Sequence, residues 1–242
     1  MEVMQDIKID GVSARSLGLI VEPLDPPPMA SQRHATFAVG GDEDMNVPDD
    51  SFDDISYPIT LRIAAHPERF DNAALYRWLQ NAKKLKISQL PLYFLKVKAV
   101  SGITPKSKAN ANEFTYNLAL QLSPWKYLDA EPDVTITGSG VVTNNGTRYC
   151  KPVYTVALSA NYGTGTLKVN GQTVTITIPQ ADAVSDGKII IDAEKEMAYG
   201  TDYSNRTMQT AGIFRFLAVG QNTVQCTGIC TGVTIKRNGR CY

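Results

Sequence analysis

The chain has 242 residues, 43% of them hydrophobic, and its 24 basic residues balance 24 acidic residues. This length suffices for two ordinary domains with separate cores, and the neutral balance lacks the basic excess typical of nucleic-acid binding. No run approaches the ~20 apolar residues that span a bilayer, and residues 1–10 lack the apolar segment of a secretory signal, so we expect cytoplasmic synthesis and no membrane partner.

Four short strands are predicted in the first 64 residues, because apolar and polar residues alternate there. They cover residues 7–9, 17–21, 34–39 and 57–64. Between the last two, Gly40–Asp54 is polar and predicts a loop. It superficially resembles a calcium loop, but Val47 stands where the sharp turn needs glycine and Pro48 disturbs the backbone. We therefore expect no metal site.

One helix is predicted over residues 72–84. Its apolar stripe recurs at the spacing of a single helical face and consists of Leu75, Trp78, Leu79 and Ala82. Asp71 is the predicted N-cap, and one stripe indicates a helix that lies on a sheet. Residues 92–100 and 114–122 then predict a long hairpin, with a connector at 101–112 rich in Gly, Pro, Ser and Asn.

Beyond Pro132 the sequence indicates β-structure alone. Short alternating runs predict strands at 134–137, 149–158, 166–169, 174–178, 188–191 and 233–235. Asn170-Gly171 is typical of a type I′ hairpin turn. The predicted fold is therefore mainly β (α+β): residues 1–132 form a β-sandwich or hairpin domain with one helix, and residues 133–242 form an antiparallel β-sandwich.

The candidate chemical groups are few. The four cysteines are Cys150, Cys226, Cys230 and Cys241. Their spacing differs from that of common zinc sites, so we expect free thiols that fill apolar gaps, with a disulfide or a metal as the alternative. No nucleophile with a neighbouring base is visible. The sequence therefore predicts no enzyme, no catalytic residue and no cofactor.

Two charged segments in the first half point to assembly. Gly40–Asp54 holds seven acidic residues and no basic one, whereas Lys83–Lys108 holds seven lysines and no acidic residue. They form either separate solvated faces or a contact between neighbouring subunits, which closes into a ring when the rotation permits. The candidate interface residues are Asp42, Asp44, Asp49, Asp50, Asp53, Asp54, Lys83, Lys84, Lys86, Lys96 and Lys98.

A C-terminal motif carries a resemblance to a known family. An apolar strand ends in Asp192, Tyr199 follows, and the chain turns through Gly212-x-Phe214 and Gly220-x-Asn222. The motif resembles the closing half of the galectin-like domain in the distal tail (Dit) proteins of siphophages. In the first half, the order and spacing of four features match that family's N-terminal belt domain. They are Leu17-Gly18-Leu19, the Tyr57 strand, Trp78-Leu79, and Phe114 through Ser123–Tyr127.

The resemblance implies a structural protein of a phage or prophage virion, located at the tail tip and made in the host bacterial cytoplasm. Residues 1–132 would form a hexameric ring that continues the tail tube, and DNA would pass through its channel without specific binding. The galectin-like domain would dock receptor-binding proteins and tail-tip or baseplate hub proteins. The six motif residues would be structural, with Asp192 in a turn.

Two other functions stay open. The galectin-like domain would bind cell-wall glycan if Tyr154, Tyr162, Tyr199 or Tyr203 offered an aromatic platform, although neither tryptophan lies in the second half. A wall hydrolase would use Asp192 and Glu194, which share one side of an extended strand with Glu196. Glycoside hydrolysis needs carboxylates that face each other across a sugar, so a solvated hairpin explains these neighbours better.

Overall fold

The described part of the chain contains twenty β-strands, one α-helix and three short 3-10 helices. The computed structural model describes residues 5–38, 44–63, 70–108, 113–212, 214 and 216–242, with the backbone alone for 35–38, 44–50, 107–108 and 113. The chain divides into two compact units. The first contains Met1–Tyr127 with Tyr242, and the second contains Leu128–Cys241. No helix within the described residues is long and apolar enough to cross a membrane.

The first unit is a twisted sheet with a separate hairpin. Its strands are β1 (Ile7–Ile9), β2 (Val12–Ser13), β3 (Leu19–Val21), β4 (Gln32–Ala38), β5 (Asp44–Phe52), β6 (Ile55–Ile63), β7 (Lys84–Ile87), β8 (Tyr93–Lys108) and β9 (Glu113–Leu128). The sheet runs β2-β1-β7-β8-β9-β6-β3, and β4 and β5 pair with each other. Alternate residues of β6, from Ile55 to Ile63, are buried, because successive side chains of a strand point to opposite faces.

The helix α1 (Asn72–Gln80) begins where the sequence predicts. The Asp71 carboxylate accepts the Ala74 N–H at 3.1 Å, so the predicted N-cap is confirmed. Leu75 and Leu79 are buried in the core of the first unit. The helix ends before the predicted residue 84, because Lys84–Ile87 pairs with β1 as a strand.

Two predicted loops are strands. The loop prediction for Gly40–Asp54 is wrong over Asp44–Phe52, which pairs with β4 so that Phe37 faces Met45. An extended backbone cannot wrap a cation, so the calcium-loop geometry is absent over these described residues. The connector prediction is wrong over residues 101–108, because strand β8 continues to Lys108. Cross-strand pairing has overridden local composition in both segments.

The second unit is a sandwich of two five-stranded antiparallel sheets. The strands of these sheets are β10 (Val134–Thr137), β11 (Ser139–Asn144), β12 (Val153–Leu158), β13 (Gly163–Val169), β14 (Gln172–Ile178), β15 (Lys188–Asp192), β16 (Met197–Tyr199), β17 (Thr210–Ala211), β18 (Gly220–Gly228) and β19 (Cys230–Lys236). A short strand, β20 (Arg240–Cys241), belongs to neither sheet. The sheets run β10-β19-β12-β15-β16 and β11-β18-β13-β14-β17. Their buried faces share one apolar core, which confirms the predicted mainly-β fold.

The type I′ turn at Asn170-Gly171 is confirmed, because both residues have positive φ, at 50° and 79°, and Val169 pairs with Gln172. The strand predicted from residue 149 begins instead at Val153, directly after Pro152, which has no N–H to pair. Strand β11 was not predicted, because Ser139 and Gly140 carry too little apolar surface to signal a strand.

Residues 128–132, which the sequence analysis assigned to the first domain, pack within the second unit. The Glu131 carboxylate accepts the Gly239 N–H at 2.8 Å and lies 3.6 Å from Nε of the buried Arg237. The Arg237 guanidinium also donates to the Pro132 carbonyl at 3.0 Å. These contacts therefore connect the N-terminal segment of the second unit to its C-terminal segment.

We expect residues 128–242, expressed alone, to fold more stably than residues 133–242. The shorter fragment lacks Glu131 and leaves a buried guanidinium without its counter-charge, which costs about 3 kcal/mol. Urea denaturation of both fragments measures the difference. Glu131→Ala in the longer fragment should reproduce most of it, and equal midpoints for all three proteins would contradict this account of the boundary.

Candidate assembly interface

The acidic segment lies on a strand and on the turn that follows it. Asp44, Asp49 and Asp50 belong to β5, whereas Asp42 lies outside the described residues. Asp53 pairs with Arg33 at 2.7 Å, and Asp54 pairs with Lys98 at 2.6 Å. Both ion pairs are exposed and intramolecular, so each contributes only ~0–1 kcal/mol.

Several of the candidate lysines have local roles. Lys84 and Lys96 face each other across β7 and β8. The Lys84 amine lies 4.1 Å from the Phe94 ring centroid, and the Lys96 amine lies 4.3 Å from that of Tyr127. The two rings stack at 5.4 Å, so aromatic faces partly balance the paired charges.

Lys83 directly precedes β7, and Lys86 lies within it. The Asp10 carboxylate accepts the backbone N–H groups of Lys83 at 3.1 Å and Lys84 at 2.9 Å. Lys86 faces Lys8 across β1 and β7. Among the candidate residues, the structure therefore joins Asp54 to Lys98 in an ion pair.

The β4–β5 hairpin forms a two-stranded sheet of its own within the described residues. A hairpin of two strands is marginally stable in water, and its outer edges carry backbone groups that can pair with another chain. The hairpin is therefore a candidate for contact with a neighbouring subunit.

Three aromatic rings hold the base of this hairpin. Phe52, at the end of β5, lies 4.7 Å from Trp125 in an edge-to-face arrangement and 6.2 Å from Tyr242. Trp125 and Tyr242 are 5.6 Å apart. Such aromatic contacts add stability beyond their buried area, so they fix where the hairpin starts. The sequence analysis missed this cluster, because its members are distant in sequence and share no local pattern.

Strand β8 presents a second open edge. The Val97 N–H donates to the Lys83 carbonyl at 2.8 Å, which ends the contact with β7. From Lys98 to Lys108, β8 has only β9 as a neighbour among the strands that the structure describes. Lysines and Pro105 stand along this stretch, and such residues discourage uncontrolled edge pairing.

In the second unit, Asp192 of the family motif organises a turn. It is buried, and its Oδ1 accepts the N–H groups of Glu194 at 3.0 Å and Lys195 at 3.1 Å. Its Oδ2 lies 3.2 Å from the Lys195 amine. Glu194 instead pairs with Arg240 at 3.2 Å. These carboxylates therefore serve separate local contacts and do not face each other across a cleft.

Asn222 is fully buried at 0% exposure and closes the loop before β18. Its amide accepts the Ala218 N–H at 2.8 Å and donates to the carbonyls of Ala218 and Gly220 at 2.9 Å. It also accepts a bond from the Asn170 amide at 2.8 Å. Asn170 was predicted as a turn residue, but its side-chain role depends on a long-range contact that the sequence does not signal.

The remaining motif residues fit the same structural role. Gly212 has φ of 115°, and a Cβ there would lie 2.6 Å from the Thr173 carbonyl oxygen, so glycine is required. Gly220 has φ of 84° with open space around it. Phe214 packs on the sandwich core, and Tyr199 faces Ile190 across β15 and β16.

The other candidate groups lie in the core. All four cysteines are free and buried, as predicted. Burial raises the pKa of the Cys150 and Cys230 thiols to about 12, which suppresses the nucleophilic thiolate at neutral pH. Tyr154 is buried, so it offers no platform to a sugar. No cluster of three potential metal ligands occurs among the residues described.

No family model and no curated protein matches the chain, but solved structures do. The chain is similar to the Dit protein of SPP1, a hub adsorption apparatus paradigm in phages that infect Gram-positive hosts, with 14% identity and a TM-score of 0.63 over 97% of this chain and 99% of that one. It is also similar to the phage P2 baseplate in its activated conformation with Ca, with 9% identity and a TM-score of 0.56 over 97% and 98% of the two chains. The corresponding form with Sr gives 9% identity and a TM-score of 0.50 over 96% of each chain.

At these identities the likeness shows the fold. The chain has a Dit-like fold along nearly its whole length, as the sequence resemblance predicted. The neighbours that share it are structural components of phage hubs and baseplates.

We expect Asn222→Ala to destabilise the second unit by about 3 kcal/mol, because it leaves several buried polar groups without partners. Calorimetry of the full chain measures the shift in the unfolding transition of that unit. Gln221→Ala is the matched control, since Gln221 is exposed and such surface changes stay within about 0.5 kcal/mol. Equal effects of the two variants would contradict a structural role for Asn222.

Proposed function

We propose that this chain is a structural protein of a phage or prophage tail tip, where six copies form a ring that joins the tail tube to the tip. The observation that carries the proposal is the match of both units, over 97% of the chain, to a phage hub protein. The fold is shared from end to end, so the proposal concerns the whole chain and not one common module.

The first unit supports ring formation through two open edges of opposite charge. Strand β5 carries Asp44, Asp49 and Asp50 with no basic residue, and β8 carries four lysines with no acidic residue. Like charges oppose the pairing of β5 with β5 or of β8 with β8, whereas β5 of one subunit attracts β8 of the next. Charge therefore selects a head-to-tail contact, and a head-to-tail contact is the kind that generates rings.

The binding free energy of such an interface comes from many small contributions. Exposed ion pairs contribute only ~0–1 kcal/mol each, so backbone pairing along the edges and apolar burial must supply most of the affinity, with charge setting the register. Because a closed ring repeats the contact in every subunit, small electrostatic contributions add up. Salt weakens them, since the Debye length falls from ~10 Å at 0.1 M to ~3 Å at 1 M.

The second unit is the attachment platform in this proposal, with receptor-binding proteins and the tail-tip hub as its partners. DNA passes through the ring channel without specific contacts, and no membrane takes part. The role is assembly without turnover, and it needs no cofactor. The buried thiols and the carboxylates that bond turn backbone are consistent with this role, because these groups stabilise the sandwich.

Replacing Asp44, Asp49 and Asp50 with Asn should shift the assembly toward smaller species at low protein concentration. The change removes the acidic charge of β5 while keeping the side-chain size, so only the electrostatic contribution is lost. Mass photometry across a concentration series, at 0.1 M and 1 M salt, measures the shift. The difference from the unchanged protein should shrink at high salt.

The matched control is Asp53→Asn with Asp54→Asn, because these carboxylates pair within their own subunit. It should assemble more like the unchanged protein than the β5 variant does. Reversing Lys83 and Lys86 to Glu tests whether the basic contribution extends onto β7. If the β5 variant assembles like the unchanged protein at every salt concentration, the acidic strand is a solvated face.

A further inference from the structure

The two most exposed large apolar side chains of the described residues lie on one loop of the second unit. Met208 is 98% exposed and Tyr203 is 84% exposed. Both belong to the segment 200–209, which connects β16 to β17. We call this segment the 200–209 loop. Exposed apolar residues of this size on one short loop are typical of interaction sites.

Hydrogen bonds hold the 200–209 loop in one conformation. The Gly200 N–H donates to the Ser204 carbonyl at 2.9 Å, the Tyr203 N–H donates to the Gly200 carbonyl at 3.0 Å, and the Arg206 N–H donates to the Ala198 carbonyl at 2.7 Å. The Arg206 guanidinium also reaches the Asp182 carbonyl at 2.8 Å. A loop that is ordered before binding loses less entropy when a partner arrives.

The Tyr203 side chain packs against a residue of strand β16. The Tyr203 ring stacks on Tyr199 with centroids 6.0 Å apart and planes at 14°, and Tyr199 faces Ile190 in the neighbouring strand. Tyr203 occupies the left-handed region, with φ of 63°. Such a conformation is uncommon for a bulky residue and persists only where its surroundings enforce it. The loop therefore presents a rigid aromatic side chain to solvent.

Two exposed carboxylates lie at the 200–209 loop, since Asp202 belongs to it and Asp186 accepts the Thr201 hydroxyl. Between residues 134 and 242, all six carboxylates lie from Asp182 to Asp202. Hydrogen bonds from the Ser204 hydroxyl and N–H lower the pKa of the Asp202 carboxyl. An apolar centre with a polar rim is the usual anatomy of a protein interface, and Asp186 and Asp202 give the exposed edge of this loop acidic charge.

We infer that the 200–209 loop, with Tyr203 and Met208 as its apolar anchors, is the docking surface of the second unit for a tail protein that presents a basic rim around an apolar pocket. The inference rests on the proposed function and names the surface and partner chemistry that serve it. A second copy of this chain fits poorly, because the same acidic rims would oppose each other.

A protein fits the loop better than a glycan does. Sugar binding needs free polar groups beside an aromatic ring, but here the polar groups bond one another. Asp202 accepts both the Ser204 N–H at 3.0 Å and the Ser204 hydroxyl at 2.7 Å, and the Thr201 hydroxyl donates to Asp186. Methionine, by contrast, is a side chain enriched at protein interfaces.

The test complements a phage or prophage that lacks this gene with the full-length chain carrying Tyr203→Ala and Met208→Ala. Quantitative mass spectrometry of purified tail particles should find the variant at its normal level and one other tail protein reduced at least tenfold. Tyr162→Ala with Val219→Ala is the matched control, since both side chains are half exposed in the same unit, at 51% and 55%. It should leave the composition unchanged.

A photo-crosslinking amino acid at position 208 then identifies the occupant in intact particles. Crosslinks to the tail protein that the double variant loses, at a segment rich in Lys or Arg, support the inference. Unchanged particle composition, crosslinks to wall glycan, or crosslinks to another copy of this chain would overturn it. If particles lack the chain in every variant and in the unchanged control, the proposed function itself has failed.

Discussion

A two-stranded hairpin buries little surface and is at best marginally stable by itself in water, and this constraint applies to the β4–β5 hairpin. The structure fixes its base, where Phe52 contacts Trp125 and Tyr242, while its strands pair only with each other among the described residues. The open edge must be covered or protected to avoid uncontrolled pairing. In the proposed ring, the carboxylates on β5 and the lysines on β8 serve this purpose, because they oppose pairing of like edges and favour pairing of unlike edges.

In the second unit, the loops and turns of the sandwich have to be held in place. Buried polar side chains do this: Asn222 closes the loop before β18, Asp192 caps the turn after β15, and Glu131 joins the start of the unit to its end. Removing any one of them leaves buried groups unsatisfied, which is costly in an apolar interior. The same sandwich exposes Tyr203 and Met208 on its 200–209 loop.

Local signals in the sequence predicted local structure well. The Asp71 N-cap and the Asn170-Gly171 turn depend on a few adjacent residues, and both are present. The strands at residues 44–52 and 101–108 were not predicted, because their polar and proline-containing sequences become strands only through pairing with distant segments. Resemblance to the distal tail proteins predicted the Dit-like fold across the chain.

The candidate interface was harder to predict than the fold. Charge counts identified the acidic and basic segments but could not show that Asp54 pairs with Lys98 inside one subunit or that Lys84 and Lys96 lie over aromatic rings. Glu131 and Arg237 are 106 positions apart in the sequence, and Phe52 and Tyr242 are 190 positions apart. No local pattern encodes such pairs.

The central claim is that the chain closes into a ring of defined size. The most direct measurement is the mass of the unmodified full-length protein at micromolar concentration and low salt, combined with electron microscopy of the main species. The account predicts one discrete oligomer of six subunits with a central channel. A strict monomer at every concentration and salt, which also fails to join tail particles, would contradict it.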